Sequence, residues 1–545
     1  MRAEVTTSGA TETVSPGAGT RLAELVWLRA LTGGERAFVE HARSSGALSF
    51  VGLRRAVLGW TSLLADLGVE PGHTVGVAAG DPLDFATVFV SAMAAGRVVA
   101  PLDAGAPDRE LQATCRRVRP TVVLADRPAP AGISCDWIEL PSGSFPRHGS
   151  DDGLLVHGAG VDADPSLGDE SWTRPIGPGT AAPSGGGLVL STSGTTGTPK
   201  VIRLDERQLL HAARQIAGHH RLSVIDRGFN SLPLFHINAE VVGLLASLVA
   251  GSSLVLDDRF HRRGLWELLS DRRVTWINAV PAIISRLAPL SAGEPVPATL
   301  RFVRSASAPL PPAVAERFEQ AVGVPVVETY GMTEAASQIT ANPIHGTRKR
   351  GSVGRPVGTE LRVVAGGGTQ PPKAVAPGTE GRVEIRGAAV ISAYEGGAHA
   401  DRIGADGWLD TGDVGVLDED GYLFLVGRVD DVINRGGEKV FPREVEEVIL
   451  GDPEVSGTAV VGWDHHELGR VPVAFLEVGG SANEDLRRRA ERVVARVRER
   501  CDQSLSRAKR PVAFHVVEQL PVGSTGKVRR NAVDAQAAIY TLLVR

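Results

Sequence analysis

An alternation of amphipathic helices and short apolar strands, beginning at Leu22, constrains the fold more than any other feature of the chain. Strands separated by helices pair in parallel, so this alternation predicts an α/β fold with a largely parallel sheet covered on both faces. The predicted helices are Phe50–Leu67 and Pro82–Ala95, and the predicted strands are His73–Ala79, Val98–Leu102, Thr121–Leu124, Ser253–Leu256, Thr275–Val280 and Leu300–Ser305.

Changes of texture along the chain predict its domain organisation. Residues 126–187 are rich in Pro, Gly, Ser and Asp and are interpreted as a surface excursion or linker. After Lys349 short strands and glycine turns predict a compact β subdomain, and past Val429 helices return. We therefore predict a disordered leader over 1–20, a large N-terminal domain over 21–429 of doubly wound α/β subdomains plus a β subdomain, and a small α+β C-terminal domain over 430–545.

Composition excludes several classes of protein. The 545 residues carry a net charge of −5, without the basic excess of a nucleic-acid-binding protein. The arginines of Asn483–Cys501 are interpreted as a solvated helix face, because Val493, Val494 and Val497 share the other face. The apolar run Val241–Leu256 is shorter than the roughly 20 residues of a membrane span and predicts a buried helix followed by a strand. Three scattered cysteines and no apolar leader predict a cytoplasmic protein.

The stretch LVLSTSGTTGTPKV, Leu188 to Val201, joins an apolar strand to a loop of Ser, Thr and Gly that ends in Pro199 and Lys200. Free backbone N–H groups, hydroxyls and one ammonium suit a polyphosphate. The loop differs from the common phosphate-binding motif, because Pro199 separates its glycines from Lys200 and Val201 follows the lysine. A flexible connection is the alternative interpretation.

Three further segments combine residue types that suit a nucleotide site. After the predicted strand of VVETYGMTEAASQ, Thr333 and Glu334 place a hydroxyl beside a carboxylate, which suits a phosphate and its Mg²⁺ or a helix cap. Asp413 is predicted to lie in a T-G-D turn that presents a carboxylate to a diol; a hairpin with a surface ion pair is the alternative. Lys527 lies on a Gly/Ser/Thr turn, where a solvated lysine is equally common.

Taken in order, TSGTTGTPK, YGMTE, TGD, GRVDDVINRGGEKVFPREVE and the final STGK resemble the adenylate-forming superfamily over nearly the whole chain. Within it, PLFHIN, VRSASAPL, KRGSVGRPVG and NRGGEKV are most similar to the acyl-CoA synthetase branch, notably its oxalyl-CoA synthetase-like and 4-chlorobenzoate-CoA-ligase-like members. The resemblance implies a ligase that uses ATP, Mg²⁺ and coenzyme A. A small-molecule carboxylic acid is first joined to AMP with release of pyrophosphate, and a thiol then displaces AMP.

The resemblance also implies roles for individual residues. The implied catalytic residues are Lys200, Thr333, Glu334 and Lys527, with Glu334 and Thr192 as Mg²⁺ ligands. The implied cofactor-binding residues are Thr192, Ser193, Gly194, Thr195, Thr196, Ser305, Ala306, Ser307, Tyr330, Gly331, Asp413, Arg428, Gly436 and Gly437. Asp430 is the implied hinge about which a mobile C-terminal domain exchanges the Lys527 loop for the Gly436–Lys439 loop.

The acid is expected between Phe235, His236, Ile237 and Asn238, the Ser305–Ser307 loop, Gly331 and Ser337–Gln338. Polar residues there favour a short polar or aryl acid over a long acyl chain; a packed structural role is the alternative for His236. The acceptor alternative to coenzyme A is a carrier-protein phosphopantetheine or another nucleophile, and the protein is expected to be a monomer or homodimer without a membrane span. A non-catalytic relative is disfavoured, because Lys200, Glu334, Asp413 and Lys527 are all intact.

Overall fold

The computed structural model of the protein describes residues 19–141, 185–192, 200–288, 290, 293–365, 373–397, 399–479, 485–523 and 528–544. Most of the predicted leader and of the predicted excursion lie outside the described residues. So do Ser193 to Thr196 and Lys527. The excursion prediction is wrong for its described start, where residues 136–139 form a strand at the edge of a sheet.

Of the described helices, Phe50–Asp66 and Pro82–Ala94 end within one residue of their predicted bounds. The described helices are numbered in chain order. They are α1 Leu22–Gly33, α2 Phe50–Asp66, α3 Pro82–Ala94, α4 Asp108–Val118, α5 Glu206–His219, α6 Ala246–Ala250, α7 Leu265–Asp271, α8 Pro281–Leu287, α9 Pro312–Val322, α10 Pro442–Leu450 and α11 Leu486–Ser504. A π-helix over Asn238–Leu245 runs directly into α6. Val241–Leu256 is thus a buried helical segment followed by a strand, as predicted.

The strands are distributed over four sheets. They are β1 Ala37–His41, β2 Ala47–Ser49, β3 Thr74–Ala78, β4 Val98–Pro101, β5 Val122–Ala125, β6 Asp136–Glu139, β7 Gly187–Thr192, β8 Lys200–Asp205, β9 Arg227–Asn230, β10 Ser253–Leu256, β11 Trp276–Ala279, β12 Phe302–Ser305, β13 Val326–Met332, β14 Ser337–Ala341, β15 Arg355–Pro356, β16 Glu360–Val364, β17 Glu380–Arg386, β18 Leu409–Leu417, β19 Leu423–Arg428, β20 Ile433–Arg435, β21 Glu438–Val440, β22 Val455–His465, β23 Gly469–Val478, β24 Ala513–Val517 and β25 Tyr540–Leu543.

Two large sheets form the α/β part of the N-terminal region. One has nine strands in the order β15-β14-β13-β12-β11-β9-β10-β1-β2, and the other has six in the order β6-β5-β3-β4-β7-β8. Strands β9 to β13 pair in parallel, as do β3 with β4 and β5. Helix α3 is buried along nearly its whole length and is capped by Asp81, which accepts bonds from the backbone N–H groups of Leu83 and Asp84. The predicted α/β class is confirmed.

The β subdomain predicted after Lys349 is an antiparallel sheet in the order β16-β17-β18-β19. Its strand β18 corrects a prediction about Asp413. The register between β17 and β18 shifts near Gly412, which has a φ of +77°. Asp413 therefore lies inside β18 at a bulge and not in a tight turn, because one glycine with positive φ serves a bulge as well as a turn.

The C-terminal region has its own sheet and core. The strands run β21-β20-β23-β24-β25 with β22 paired to β23. Helix α11 packs the predicted Val493, Val494 and Val497 into this core, and Arg496 pairs with Asp452 at 2.8 Å. Strand β25 gives the C-terminal tail a structural role that its sequence did not suggest. Among the described residues, no helix has both the length and the apolarity that crossing a membrane requires.

Candidate active site

A glycine- and threonine-rich loop leads into Lys200, and the structure changes the interpretation of what flanks that loop. Strand β8 begins at Lys200 and runs antiparallel to β7, with Thr192 opposite Lys200. The loop thus connects two antiparallel strands, of which only the first was predicted. This β-hairpin holds Lys200 at a fixed place beside the end of β7, and only 9% of the lysine is exposed.

Lys200 meets Glu334 at the side chain of Tyr394. Glu334 lies in the 3₁₀ turn Thr333–Ala335 that follows β13, and 6% of it is exposed. The hydroxyl of Tyr394 donates to Oε1 of Glu334 at 3.1 Å, while Nζ of Lys200 lies 5.3 Å from the centroid of the Tyr394 ring. Burial lowers the pKa of Lys200, and Arg402 lowers it further, whereas Glu334 acts in the opposite direction.

A second group of charges surrounds Asp413. Its carboxylate accepts a bond from the hydroxyl of Tyr330 at 2.5 Å and one from Nη1 of Arg428 at 3.2 Å. Burial lowers the pKa of Arg428, but Asp413 together with Tyr330, Asp431 and Asp430 outweighs burial, so that pKa lies above its ordinary value. Burial, and then the Asp413 charge, raise the pKa of Tyr330. The tyrosine therefore remains a neutral hydrogen-bond donor.

These groups form one site, which we call the charged cluster: Lys200, Glu334, Tyr394, Asp413 and Arg428. Arg428 links its two halves, because the pKa of Lys200 responds to Arg428 as well as to Glu334. The bulge at Gly412 makes room for this, since a Cβ there would lie 3.0 Å from Nη2 of both Arg402 and Arg428. The sequence reasoning missed Tyr394 and Arg402, because neither belongs to a motif of recognisable spacing.

The other predicted nucleotide and hinge residues lie at the border of the C-terminal region or beyond the described chain; of these, Asp430 lies 3.8 Å from Arg428 of the charged cluster. Gly436 and Gly437, with φ of +61° and +93°, form the turn between β20 and β21 in the C-terminal region. Asp430 lies exposed in the 3₁₀ turn Val429–Asp431 between β19 and β20, where the chain passes from one sheet to the other. The side chain of Thr192 and all of Ser193–Thr196 are outside the described part.

The segment after Lys527 is anchored next to the predicted hinge, although Lys527 itself is not described. Arg530 donates to Glu446 of α10 from Nη2 at 2.8 Å and to Asp431 at 3.3 Å. These ion pairs fix the chain three residues beyond Lys527 against the residue that follows Asp430.

The residues predicted for the acid gather at the ends of β12 and β14. Nδ2 of Asn238, at the start of the π-helix, lies 3.5 Å from Oγ of Ser307, and the ring of His236 lies 4.5 Å from that of Phe235. Ser307 and Ser337 have φ of +71° and +94°. A backbone with such a positive φ costs on the order of 1–3 kcal/mol per residue, and residues of this kind cluster at functional sites.

Gly331 closes this region on the side of the charged cluster. It pairs with Gln338, and a Cβ there would lie 1.5 Å from the carbonyl oxygen of Ser337. Ser305, which is fully buried, accepts a bond at its carbonyl from Oγ1 of Thr329 at 2.9 Å. This bond joins Ser305, the first residue of the predicted loop Ser305–Ser307, to the strand that continues from Thr329 into Tyr330 and Gly331.

The amide cluster, which consists of Arg304, Asn238, Asn278 and Gln338, lies behind this loop. Nη1 of Arg304 donates to Oδ1 of Asn238 at 2.8 Å and to Oδ1 of Asn278 at 3.1 Å, and Nη2 donates to Oε1 of Gln338 at 3.4 Å. Burial lowers the pKa of Arg304 to about 9. Arg304 was not singled out from the sequence, where an arginine in a β-strand gives no sign of being buried.

Comparison with known proteins agrees with this fold and site. Residues 29–395 match the family described as AMP-binding enzyme, and residues 444–527 match the AMP-binding enzyme C-terminal domain. The sulfoacetate–CoA ligase of Cupriavidus necator is 34% identical over 93% of this chain and 96% of its own. The oxalate–CoA ligase of Arabidopsis thaliana is 33% identical over 86% of this chain and 90% of its own.

A solved structure shares the whole architecture. The o-succinylbenzoate CoA synthetase from Bacillus subtilis, in complex with the acyl-adenylate intermediate OSB-AMP, superposes with a TM-score of 0.77 at 24% identity and covers 95% of this chain and 99% of its own. The chain belongs to the AMP-binding enzyme family, the adenylate-forming superfamily that the motifs indicated. The predicted branch, the AMP-forming acyl-CoA synthetases, and the predicted fold with a separate C-terminal domain are confirmed.

Proposed function

We propose that the protein is an ATP-dependent acid–CoA ligase whose charged cluster binds the nucleotide. The convergence of Lys200, Glu334 and Asp413 on one site supports this most strongly, since they come from β8, the turn after β13 and β18. A carboxylate oxygen attacks the α-phosphorus of ATP and pyrophosphate leaves. The thiol of coenzyme A then attacks the acyl carbon, AMP leaves with the bonding electron pair, and the thiol loses its proton.

Each half of the charged cluster has a task in the first step. Lys200 supplies positive charge to the β- and γ-phosphates together with the loop Thr192–Thr196, and Thr333 contacts the α-phosphate. Asp413 accepts bonds from the ribose hydroxyls, and Arg428, which donates to that carboxylate at 3.2 Å, holds it in position. Adenine lies against Tyr330 and the loop Ser305–Ala308. Glu334 is a buried carboxylate that could share a metal ion with the phosphates, which suits a Mg²⁺ ligand. Bound Mg²⁺ would neutralise part of the phosphate charge.

The second step assigns work to the C-terminal region. In the proposal, residues 430–545 form the mobile domain and Asp430 is its hinge. Lys527 approaches the α-phosphate for adenylation and withdraws for thiolation, when the turn at Gly436 and Gly437 faces the thiol. Withdrawal is needed because one entrance cannot hold both the lysine and the incoming thiol.

The experiment is a panel of carboxylic acids tested for ATP–pyrophosphate exchange with Mg²⁺, followed by mass spectrometry of the products with coenzyme A present or withheld. We expect exchange with at least one acid and an acyl-CoA product only when coenzyme A is present. Exchange without any thioester would favour the alternative acceptor, a carrier-protein phosphopantetheine. No exchange with any acid would contradict the proposed function. The cytoplasmic location and the monomeric or dimeric state remain predictions.

Replacing Lys527 with alanine tests the division into two half-reactions. Lys527→Ala removes a contact made chiefly in the transition state of adenylation, so that step should slow by about 10³-fold while preformed acyl-adenylate is still converted to thioester. Lys509→Ala is the matched control, because Lys509 pairs with Glu444 in the same domain at 2.7 Å. Equal losses in both half-reactions of Lys527→Ala would contradict its assigned role.

A further inference from the structure

Arg304 is a fully buried basic residue without a carboxylate partner among the described residues. It lies on β12, and its only described hydrogen-bond acceptors are the side-chain oxygens of Asn238, Asn278 and Gln338. Arg301, three residues earlier, is partly exposed and pairs with Asp226 at 2.8 Å, although its Nε, like that of Arg304, has no hydrogen-bond partner among the described residues. The charge of Arg304 is therefore left unbalanced by the part of the protein that the structure describes.

Polar groups around Arg304 also have unused bonding capacity. Nε of Arg304, Nε2 of Gln338 and Oγ of Ser305 are buried and find no hydrogen-bond partner within the described ranges. Most buried polar groups in proteins are satisfied, and a buried charge without an opposite charge costs several kcal/mol. Two unpaired N–H donors and a guanidinium in one place match the acceptor-only chemistry of an oxyanion.

The position of this group relates it to the acid. Asn238, which accepts from Arg304, also lies 3.5 Å from Ser307, and Gln338 pairs with Gly331 at the edge of the charged cluster. The amide cluster therefore borders the acid residues directly, because Asn238 and Gln338 belong to both groups. A molecule whose reacting carboxylate lies at the nucleotide could place its other end against Asn238 and Gln338, next to Arg304.

We propose that the acid carries a second oxyanion, such as a carboxylate or a sulfonate, and that Arg304 binds it. This inference rests on the proposed function and narrows it to acids with two anionic groups. Asn238, Asn278 and Gln338 hold the guanidinium fork in place before the acid arrives, so a planar, bidentate contact forms at little further cost in entropy. Arg304 is then a specificity-determining residue and takes no part in the bond changes.

The alternative is a purely structural Arg304 that ties β12 to β11 and to the π-helix. A structural residue affects all acids alike, whereas a binding residue discriminates between acids that differ in one charge. Matched acids separate the two roles: a dicarboxylate and its monomethyl ester, and sulfoacetate and 3,3-dimethylbutanoate. Within each pair, the second acid lacks one anionic group of the first but has a similar size.

The test compares kcat/KM for ATP–pyrophosphate exchange between wild type and Arg304→Met on these pairs. In wild type, we expect kcat/KM for the doubly anionic acid to exceed that for its singly anionic partner by about 100-fold, the scale of a charge-assisted bidentate contact. Arg304→Met should abolish most of this preference through a raised KM for the doubly anionic acid. Arg301→Met, the matched control, should retain the wild-type preference.

A second variant guards against loss of the fold in Arg304→Met. Asn278→Asp places a carboxylate where an amide oxygen now lies 3.1 Å from Nη1 of Arg304, so the protein supplies its own counter-ion. We expect this variant to remain folded by thermal denaturation and to lose preference for the second anion by at least tenfold.

The remaining outcomes are decisive. Two results would overturn the inference: a wild type that prefers the singly charged acids, or an Arg304→Met variant that loses activity equally on both members of each pair. In either case, the exchange reaction itself would still uphold the ligase function. Exchange with no acid in the panel would overturn the proposed function, and the inference with it.

Discussion

Arg428 in the charged cluster and Arg304 in the amide cluster carry the same charge in opposite surroundings. Arg428 contacts the carboxylate of Asp413 at 3.2 Å and lies 3.8 Å from that of Asp430. Arg304 contacts only amide oxygens among the described residues. The pKa of the first lies above its ordinary value, and burial lowers that of the second to about 9.

This difference indicates which of the two clusters should bind an anionic group of a ligand. Where the protein balances its own charges, as at Asp413 and Arg428, a neutral diol can bind without leaving a charge unpaired. Where a buried cation lacks a carboxylate, as at Arg304, binding an anion removes an electrostatic cost. A nucleotide supplies ribose hydroxyls to the first place, and a doubly anionic acid supplies an oxyanion to the second.

The largest expected effect lies in the charged cluster. Glu334→Gln keeps the size of the side chain but removes the anion proposed to bind Mg²⁺, and adenylation should slow by about 10³-fold with little change in KM for the acid. Tyr394→Phe, which removes only the hydroxyl bonded to Glu334, should cost about tenfold. Single-turnover pyrophosphate release measures both, and similar losses in the two variants would contradict a metal role for Glu334.

The next largest effect should fall on the second half-reaction and leave the work of both clusters in the first half-reaction unchanged. Asp430→Pro fixes φ at the proposed hinge and should slow thiolation on the order of 100-fold while adenylation is spared, because both clusters lie outside the moving part. Asp430→Ala, which leaves φ free, is the control. Thioester formation from preformed acyl-adenylate is the measurement, and a normal rate in the proline variant would place the hinge elsewhere.

Stability should distinguish the two arginines directly. Arg428→Met leaves the buried Asp413 without its guanidinium and should cost about 1–3 kcal/mol of unfolding free energy. Arg304→Met removes a buried charge that has no carboxylate partner in the described chain, so its midpoint of urea denaturation should stay near that of wild type. Tryptophan fluorescence reports the transition, since Trp266 and Trp276 are buried. Equal destabilisation by both substitutions would remove the distinction between the clusters.

The smallest effect concerns the pH dependence of nucleotide binding. Burial and Arg402 lower the pKa of Lys200, so it loses its charge at a lower pH than an exposed lysine does. The KM for ATP should therefore rise several-fold as pH increases through that lowered pKa. Lys200→Arg should keep KM flat over the same alkaline range, because arginine stays protonated. A wild-type KM that does not change with pH would place Lys200 away from the phosphates.

The sequence predicted much of the fold because burial imposes local periodicity on helices and strands. Strand β8 was missed although it alternates in burial, since a glycine loop and a helix on its two sides masked so short a segment. The T-G-D segment was misassigned because positive φ at Gly412 serves a bulge and a turn equally well. Strand β25 depends on pairing with β24, which no local pattern reveals.

Of the site, the motif residues could be predicted, and their supporting residues could not. Lys200, Glu334, Asp413 and Arg428 belong to short patterns whose chemistry is recognisable without a structure. Tyr394 reaches Glu334 across 60 residues, and Arg304 reaches Asn238 across 66. Contacts between residues so far apart in the chain produce no recognisable spacing in the sequence.

The sequence by itself determined the kinds of groups available, the α/β class and the family whose chemistry those groups serve. Only the tertiary structure decided which charges meet a partner. Electrostatic balance depends on distance and burial, and both are set when segments far apart in the chain pack together. Arg304 and Arg428 are alike as letters in the sequence, and packing alone places one beside a carboxylate and leaves the other among amides.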